Sequence, residues 1–215
     1  MNYRDILQKL IYHLIDPLIG LMLKIGLTPN IVTLCGFLGN LVATACFVAA
    51  ATNGADSAQG HQLTGWGGLI ILAAGLFDMI DGRMARRAGL SSAFGALWDS
   101  TLDRYSELVT LFGICLLFLK ADGSWFFIGV VTFTAMVGSV MVSYVRARAE
   151  GLGIECKVGL MQRPERVVVT AVTAVITGLS GNLWWLAGGM TLIAVLANLT
   201  ALWRIAHCHQ KLKNR

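Results

Sequence analysis

The stretch Asp78-Met79-Ile80-Asp81-Gly82-Arg83-Met84-Ala85-Arg86, followed after eight residues by Gly95, after three more by Asp99 and after three more by Asp103, decides the reading of this chain. Asp78 and Asp81 are three apart and Asp99 and Asp103 four apart. On two helices each pair projects from one face, with side chains roughly 5–6 Å apart. Two such helices facing each other gather four carboxylates. Both pairs lie at the ends of apolar stretches long enough to cross a bilayer, where an unpaired carboxylate costs on the order of 2.5–3.5 kcal/mol. Divalent metal is the natural partner for such a set.

The surroundings agree with a membrane setting. Of 215 residues 56% are hydrophobic and only 13% charged, against roughly a quarter charged in soluble domains, and the mean hydropathy is +0.67. An all-α integral membrane protein is expected, with six transmembrane helices at about 31–52, 66–86, 95–119, 125–148, 164–181 and 183–204, each close to the ~20 residues a hydrocarbon core requires. If the spans alternate, Lys and Arg fall almost entirely on one side and Lys120 falls opposite, while the connectors 53–65 and 178–182 carry no Lys or Arg. By the positive-inside bias this places both termini and the aspartate motif in the cytoplasm, in a multi-pass protein of the cytoplasmic (inner) membrane. The net charge of +5 reads as attraction to membrane lipids and phosphate, not to nucleic acid.

Residues 1–25 form the next unit. Ile6, Leu7, Leu10, Ile11, Leu14, Ile15, Leu18 and Ile19 recur at helical spacing, with Arg4, Asp5, Gln8, Lys9, His13 and Asp16 opposite. This predicts an amphipathic helix lying in the membrane interface, bent at Pro17. Residues 26–208 are expected to form the membrane domain and 209–215 a basic cytoplasmic tail. The five cysteines show no paired metal spacing, and His207-Cys208-His209 reads as solvated polar chain, not a zinc site. Gly82, Ala85 and Gly95, beside the aspartates, allow close backbone approach and room for a bulky ligand.

The eight specified residues of this motif, spread over 26 positions, resemble the signature of the CDP-alcohol phosphotransferases. The resemblance extends to the amphipathic segment, to Thr28-Pro29-Asn30-Ile31-Val32-Thr33 opening the first span, and to the six spans. It implies a membrane enzyme that moves a phosphatidyl group from CDP-diacylglycerol, or a similar CDP-lipid, to an alcohol with release of CMP. It further implies that Asp78, Asp81 and Asp99 ligate metal, that Asp103 is the general base and touches one metal, and that the protein is a homodimer. The CDP-lipid would be held by Asn30, Ile31, Val32 and Thr33 together with Gly82, Arg86 and Ser92. The chemistry asks for such a site: two ions about 3.5–4 Å apart hold both phosphates and stabilise the leaving group. Two Mg²⁺, or Mn²⁺, suit an all-carboxylate set.

For the acceptor, Tyr144-Val145-Arg146-Ala147-Arg148 ends the fourth span and Gln162-Arg163-Pro164-Glu165-Arg166 opens the fifth. Arg146, Arg148, Arg163 and Arg166 are expected to converge on one cytoplasmic mouth, where they suit a phosphorylated polyol. The region 144–166 looks like that of the bacterial phosphatidylinositol-phosphate synthases, which implies inositol 1-phosphate as acceptor. Glycerol 3-phosphate is the alternative acceptor, and a cation or proton transporter the alternative class. The absence of an inverted repeat of the motif and its position near one membrane face speak against transport.

Overall fold

The computed structural model describes residues 16–213, so most of the expected amphipathic helix over 1–25 lies outside the described residues. Within them all regular structure is helical. After a short helical stretch at 16–24 come α1 (Pro29–Thr52), α2 (Ala58–Ala88), α3 (Ala93–Lys120), α4 (Phe126–Gly151), entered through a 3₁₀ turn at Gly123–Trp125, α5 (Arg163–Ser180) and α6 (Trp184–Lys213). Every expected span is a helix, though the edges move. The second begins at Ala58 because Ser57 caps it, accepting from the Gly60 amide at 3.0 Å. The last runs on to Lys213, so His207-Cys208-His209 is helical rather than free tail.

Four of these helices are long and apolar enough to cross a membrane: α1, α2, Gly123–Gly151 and α6. α3 and α5 differ because they carry Asp99, Asp103, Arg104 and Glu107, and Arg163, Glu165 and Arg166. Those charges belong to the site described below.

The helices close into a ring. α1 packs on α2 and α3, α2 on α5, α5 on α6, α6 on α4, and α4 on α3. Small residues set the approach: a Cβ built on Gly65 would lie 2.9 Å from the Gly178 Cα, and one on Gly68 2.6 Å from the Ala171 carbonyl. Phe47, Ile114, Leu117, Phe118, Leu186 and Ile193 fill the interior. Leu38, Val42, Phe126, Phe127, Leu179 and Trp203 stay exposed around the outside, the apolar outer surface expected where the surrounding medium is itself apolar.

Two details place the functional end. Arg83 forks onto Asp16 with two bonds of 2.7 Å, fixing the N-terminal stretch to the end of α2. The connector 152–162 is pinned to α6: Thr200 Oγ1 accepts from the Leu160 and Met161 amides at 3.3 Å, and Arg204 donates to the Val158 carbonyl at 2.8 Å and the Val142 carbonyl at 2.6 Å. Arg204 is buried, and its guanidinium ties α4, the connector and α6 together.

Candidate active site

A tight connection brings the two aspartate pairs together. Gly89 ends α2 in the left-handed conformation (φ 65°), which only glycine adopts freely, and Ser92 opens α3 by accepting from the Gly95 amide at 2.9 Å. The chain thus reverses within four residues, 89–92, and the end of α2 faces the start of α3. Carboxylate oxygens of Asp78, Asp99 and Asp103 all lie within 4.8 Å of one another. Asp81 stands deeper, 4% exposed, with Oδ2 buried and without a hydrogen-bond partner.

These residues fit divalent metal. Ligand oxygens on one Mg²⁺ at 2.0–2.1 Å stand about 3 to 4 Å apart, the scale of this cluster. A buried carboxylate oxygen lacking any donor is one that a cation would satisfy.

The aspartates separate two cavities. One, of about 200 Å³, is lined by Asn30, Thr33, Asp81, Gly82, Arg86, Ser92, Gly95 and Asp99. The other, of about 440 Å³, reaches into the bundle and is lined by Thr33, Asn40, Asp78, Asp103, Ser106, Glu107 and Arg163 at its polar end and by Phe37, Leu72, Leu76 and Val168 beyond. Asp81 and Asp99 face the first; Asp78 and Asp103 face the second.

The first cavity assembles five of the seven residues expected to hold the CDP-lipid: Asn30, Thr33, Gly82, Arg86 and Ser92. A Cβ on Gly82 would meet nothing nearer than the Arg86 guanidinium at 3.5 Å, so this glycine leaves open space beside the aspartates. Gly95 is tighter, its added Cβ falling 3.1 Å from Ser92 Oγ and 3.4 Å from Asn30 Oδ1. Trp98 Nε1 donates to the Asn30 carbonyl at 3.3 Å, holding the start of α1 against α3. The other two expected residues turn away. Ile31 is exposed on the outer face, and Val32 is buried with Ile19, Ile80 and Met84. At helical spacing only Asn30 and Thr33 of this run share the inner face.

The four expected arginines divide: Arg163 and Arg166 line the larger cavity, and Arg146 and Arg148 lie outside it. Arg163 alone reaches the aspartates, donating Nη1 to Asp78 Oδ2 at 2.8 Å and Nη2 to Asp103 Oδ1 at 2.7 Å. Arg166 is 1% exposed and forks onto Glu107, Nε to Oε1 at 2.5 Å and Nη2 to Oε2 at 2.8 Å, with Nη1 on the Met161 carbonyl at 3.0 Å. All its nitrogens are engaged, so it braces the site while lining the larger cavity beside Arg163. Arg146 pairs with Glu150 one turn on at 2.9 Å, and Arg148 is exposed at the end of α4. The residue overlooked in the sequence is Glu107. Its signal was present: Asp99, Asp103 and Glu107 run at successive i+4 steps and share one face of α3.

Comparison with known proteins gives the arrangement its family. The CDP-alcohol phosphatidyltransferase family model matches residues 26–206. The chain is 36% identical over 207 residues to the archaetidylinositol phosphate synthase of Methanothermobacter thermautotrophicus, covering 96% of this chain and 94% of that protein. It is 33% identical over 190 residues to the phosphatidylinositol phosphate synthase of Mycobacteroides abscessus, covering 88% and 81%. Among solved structures it resembles Mycobacterium tuberculosis phosphatidylinositol phosphate synthase with CDP-DAG bound, with a TM-score of 0.73 at 29% identity over 89% of this chain and 92% of that one. It likewise resembles the same enzyme in complex with manganese and citrate, with a TM-score of 0.75 at 28% identity over 89% and 87%. This chain belongs to the CDP-alcohol phosphatidyltransferase family.

Proposed function

We propose that the protein transfers a phosphatidyl-type group from a CDP-linked glycerolipid, CDP-diacylglycerol or a close analogue, to a hydroxyl of inositol 1-phosphate, releasing CMP. The observation that carries this reading is the aspartate wall with a cavity on either side. A group-transfer site needs a donor and an acceptor compartment meeting at one reactive centre. The names and bound molecules of the relatives agree: synthases of inositol-phosphate lipids, one with CDP-DAG and one with manganese.

Asp78, Asp81, Asp99 and Asp103 are the residues that would hold two divalent ions, Mg²⁺ or Mn²⁺. When bound, the ions neutralise the pyrophosphate and stabilise the departing CMP. Asn30, Thr33, Gly82, Arg86 and Ser92 bind the nucleotide end of the donor, Arg86 offering a planar fork to phosphate. Asp103, facing the other cavity, takes the proton of the incoming inositol hydroxyl. That oxygen bonds to the lipid-side phosphorus, and the bond from that phosphorus to the bridging oxygen breaks. Arg163 is the cation nearest this attack and orients the acceptor's phosphate; Arg146 and Arg148 add positive charge at the end of α4.

In this reading the protein sits in the cytoplasmic membrane with six spans, α3 and α5 crossing alongside the other four helices, and the site faces the cytoplasm. The apolar outer faces accommodate lipid and a second copy of the chain. The function is tested by incubating the purified protein with CDP-diacylglycerol, its ether-linked counterpart and, in turn, inositol 1-phosphate, inositol and glycerol 3-phosphate. Mass spectrometry of the lipid products should show inositol-phosphate lipid as the dominant product. A glycerophosphate lipid as the main product would keep the reaction and overturn the acceptor.

A further inference from the structure

Arg163 and Arg166 meet carboxylates in different ways. Arg166 docks its edge on a single partner, Nε and Nη2 onto the two oxygens of Glu107. Arg163 gives each terminal nitrogen to a different aspartate on a different helix, Asp78 of α2 and Asp103 of α3, and its Nε is buried with no partner. One cation joining two carboxylates from separate helices is the role a bridging metal ion plays. Both cations seek the same oxygens: a metal shared by Asp78 and Asp103 would lie about 2.0–2.1 Å from each. Here the guanidinium stands at 2.8 and 2.7 Å. Two positive centres that close repel, strongly so where Asp103 is only 13% and Arg163 only 23% exposed.

We propose that Arg163 is a displaceable counter-ion for the aspartate cluster, competing with divalent metal for Asp78 and Asp103, and that the acceptor's phosphate receives the guanidinium once metal has replaced it. The inference rests on the metal reading given under Proposed function. The backbone supports a side-chain switch. Arg163 is the first residue of α5, directly after a connector pinned by Thr200 and Arg204. The Cα is therefore held and only the flexible side chain needs to move. Its lone pair of contacts leaves Nε unsatisfied, and a phosphate offers acceptors for the whole fork. Metal at the aspartates and anion at Arg163 then favour one another, since each removes what hinders the other. An empty acceptor site would hold Arg163 on the aspartates and weaken metal binding.

The test is Mn²⁺ binding to the detergent-purified full-length protein without nucleotide, read from the loss of the free Mn²⁺ signal in electron paramagnetic resonance. Arg163→Met keeps length and removes charge, and should bind Mn²⁺ about tenfold more tightly than the unmodified protein, or better, the order expected when a charge-assisted contact no longer competes. Inositol 1-phosphate should tighten Mn²⁺ binding in the unmodified protein, and this coupling should vanish in Arg163→Met. Equal or weaker Mn²⁺ binding by a folded Arg163→Met protein would overturn the proposal while leaving the metal site standing. If that variant does not fold, Arg163→Gln decides by the same comparison: its neutral amide keeps a polar tip but no charge to compete with metal, so tighter binding supports the proposal and equal or weaker binding overturns it. Failure of every form to bind Mn²⁺ at millimolar concentration would overturn the metal reading itself, and the proposal with it.

Discussion

Glu107 and Arg166 form a two-point ion pair sealed inside the helix ring, with side-chain exposures of 8% and 1%. It joins α3, which carries Asp99 and Asp103, to α5, which carries Arg163, one turn below the aspartates. Removing one partner strands the other charge in a buried place.

Glu107→Gln or Arg166→Ala should therefore lose on the order of 3–5 kcal/mol of stability. At about 2–4 °C per kcal/mol for a chain of this size, the melting temperature in detergent should drop by roughly 10 °C. An unchanged melting temperature would show that the pair does not brace the bundle.

Arg163→Ala should behave differently from Arg166→Ala. It should raise the KM for inositol 1-phosphate by about 10- to 150-fold, as expected for loss of a charge-assisted contact, without weakening CDP-lipid affinity. Steady-state kinetics with each substrate varied in turn separates the two effects. A raised donor KM with a normal acceptor KM would remove Arg163 from the acceptor side.

Two glycines make a paired test. Gly82→Ala adds a methyl group into open space 3.5 Å from Arg86, so folding should be normal and CDP-lipid affinity reduced. Gly68→Ala drives its methyl group to 2.6 Å from the Ala171 carbonyl, so it should cost stability, by about 1–3 kcal/mol as an overpacking substitution. Thermal melts and CDP-lipid binding measured on both variants should give opposite patterns.

Asp103→Asn should lower turnover by about 10²–10⁴, the usual worth of a general base, while CDP-lipid binding persists, because Asp103 lines the cavity opposite the nucleotide residues. Asp81→Asn and Asp99→Asn, on the nucleotide side, should weaken metal-dependent donor binding. Isothermal titration with the CDP-lipid distinguishes the two classes.

The helices and the aspartate cluster were legible in the sequence because each rests on local spacing: long apolar runs for the first, three- and four-residue steps for the second. The gathering of Asn30, Thr33, Gly82, Arg86 and Ser92 around one cavity followed from the family motif, but the inward face of Asn30–Thr33 depends on helix phase, and that turns Ile31 and Val32 away. The arginines were the least legible. Positive charge at two helix ends predicted a shared mouth, whereas the structure divides them by partner: Glu107 captures Arg166, Glu150 engages Arg146, and Arg163 goes to the aspartates. Which carboxylate an arginine meets is settled by how the helix ring sets α3 across from α5 and by the pinned connector 152–162, and neither leaves a mark in the linear pattern. The same charges set α3 and α5 apart from the four helices long and apolar enough to cross a membrane.

The most direct measurement is CMP release from CDP-diacylglycerol by the purified protein, with and without Mg²⁺ or Mn²⁺, and with inositol 1-phosphate or free inositol as acceptor. Release should require the metal, should require the phosphorylated acceptor, and should disappear in Asp99→Asn. Release that persists in a metal chelator, or that proceeds equally well with free inositol, would contradict the account.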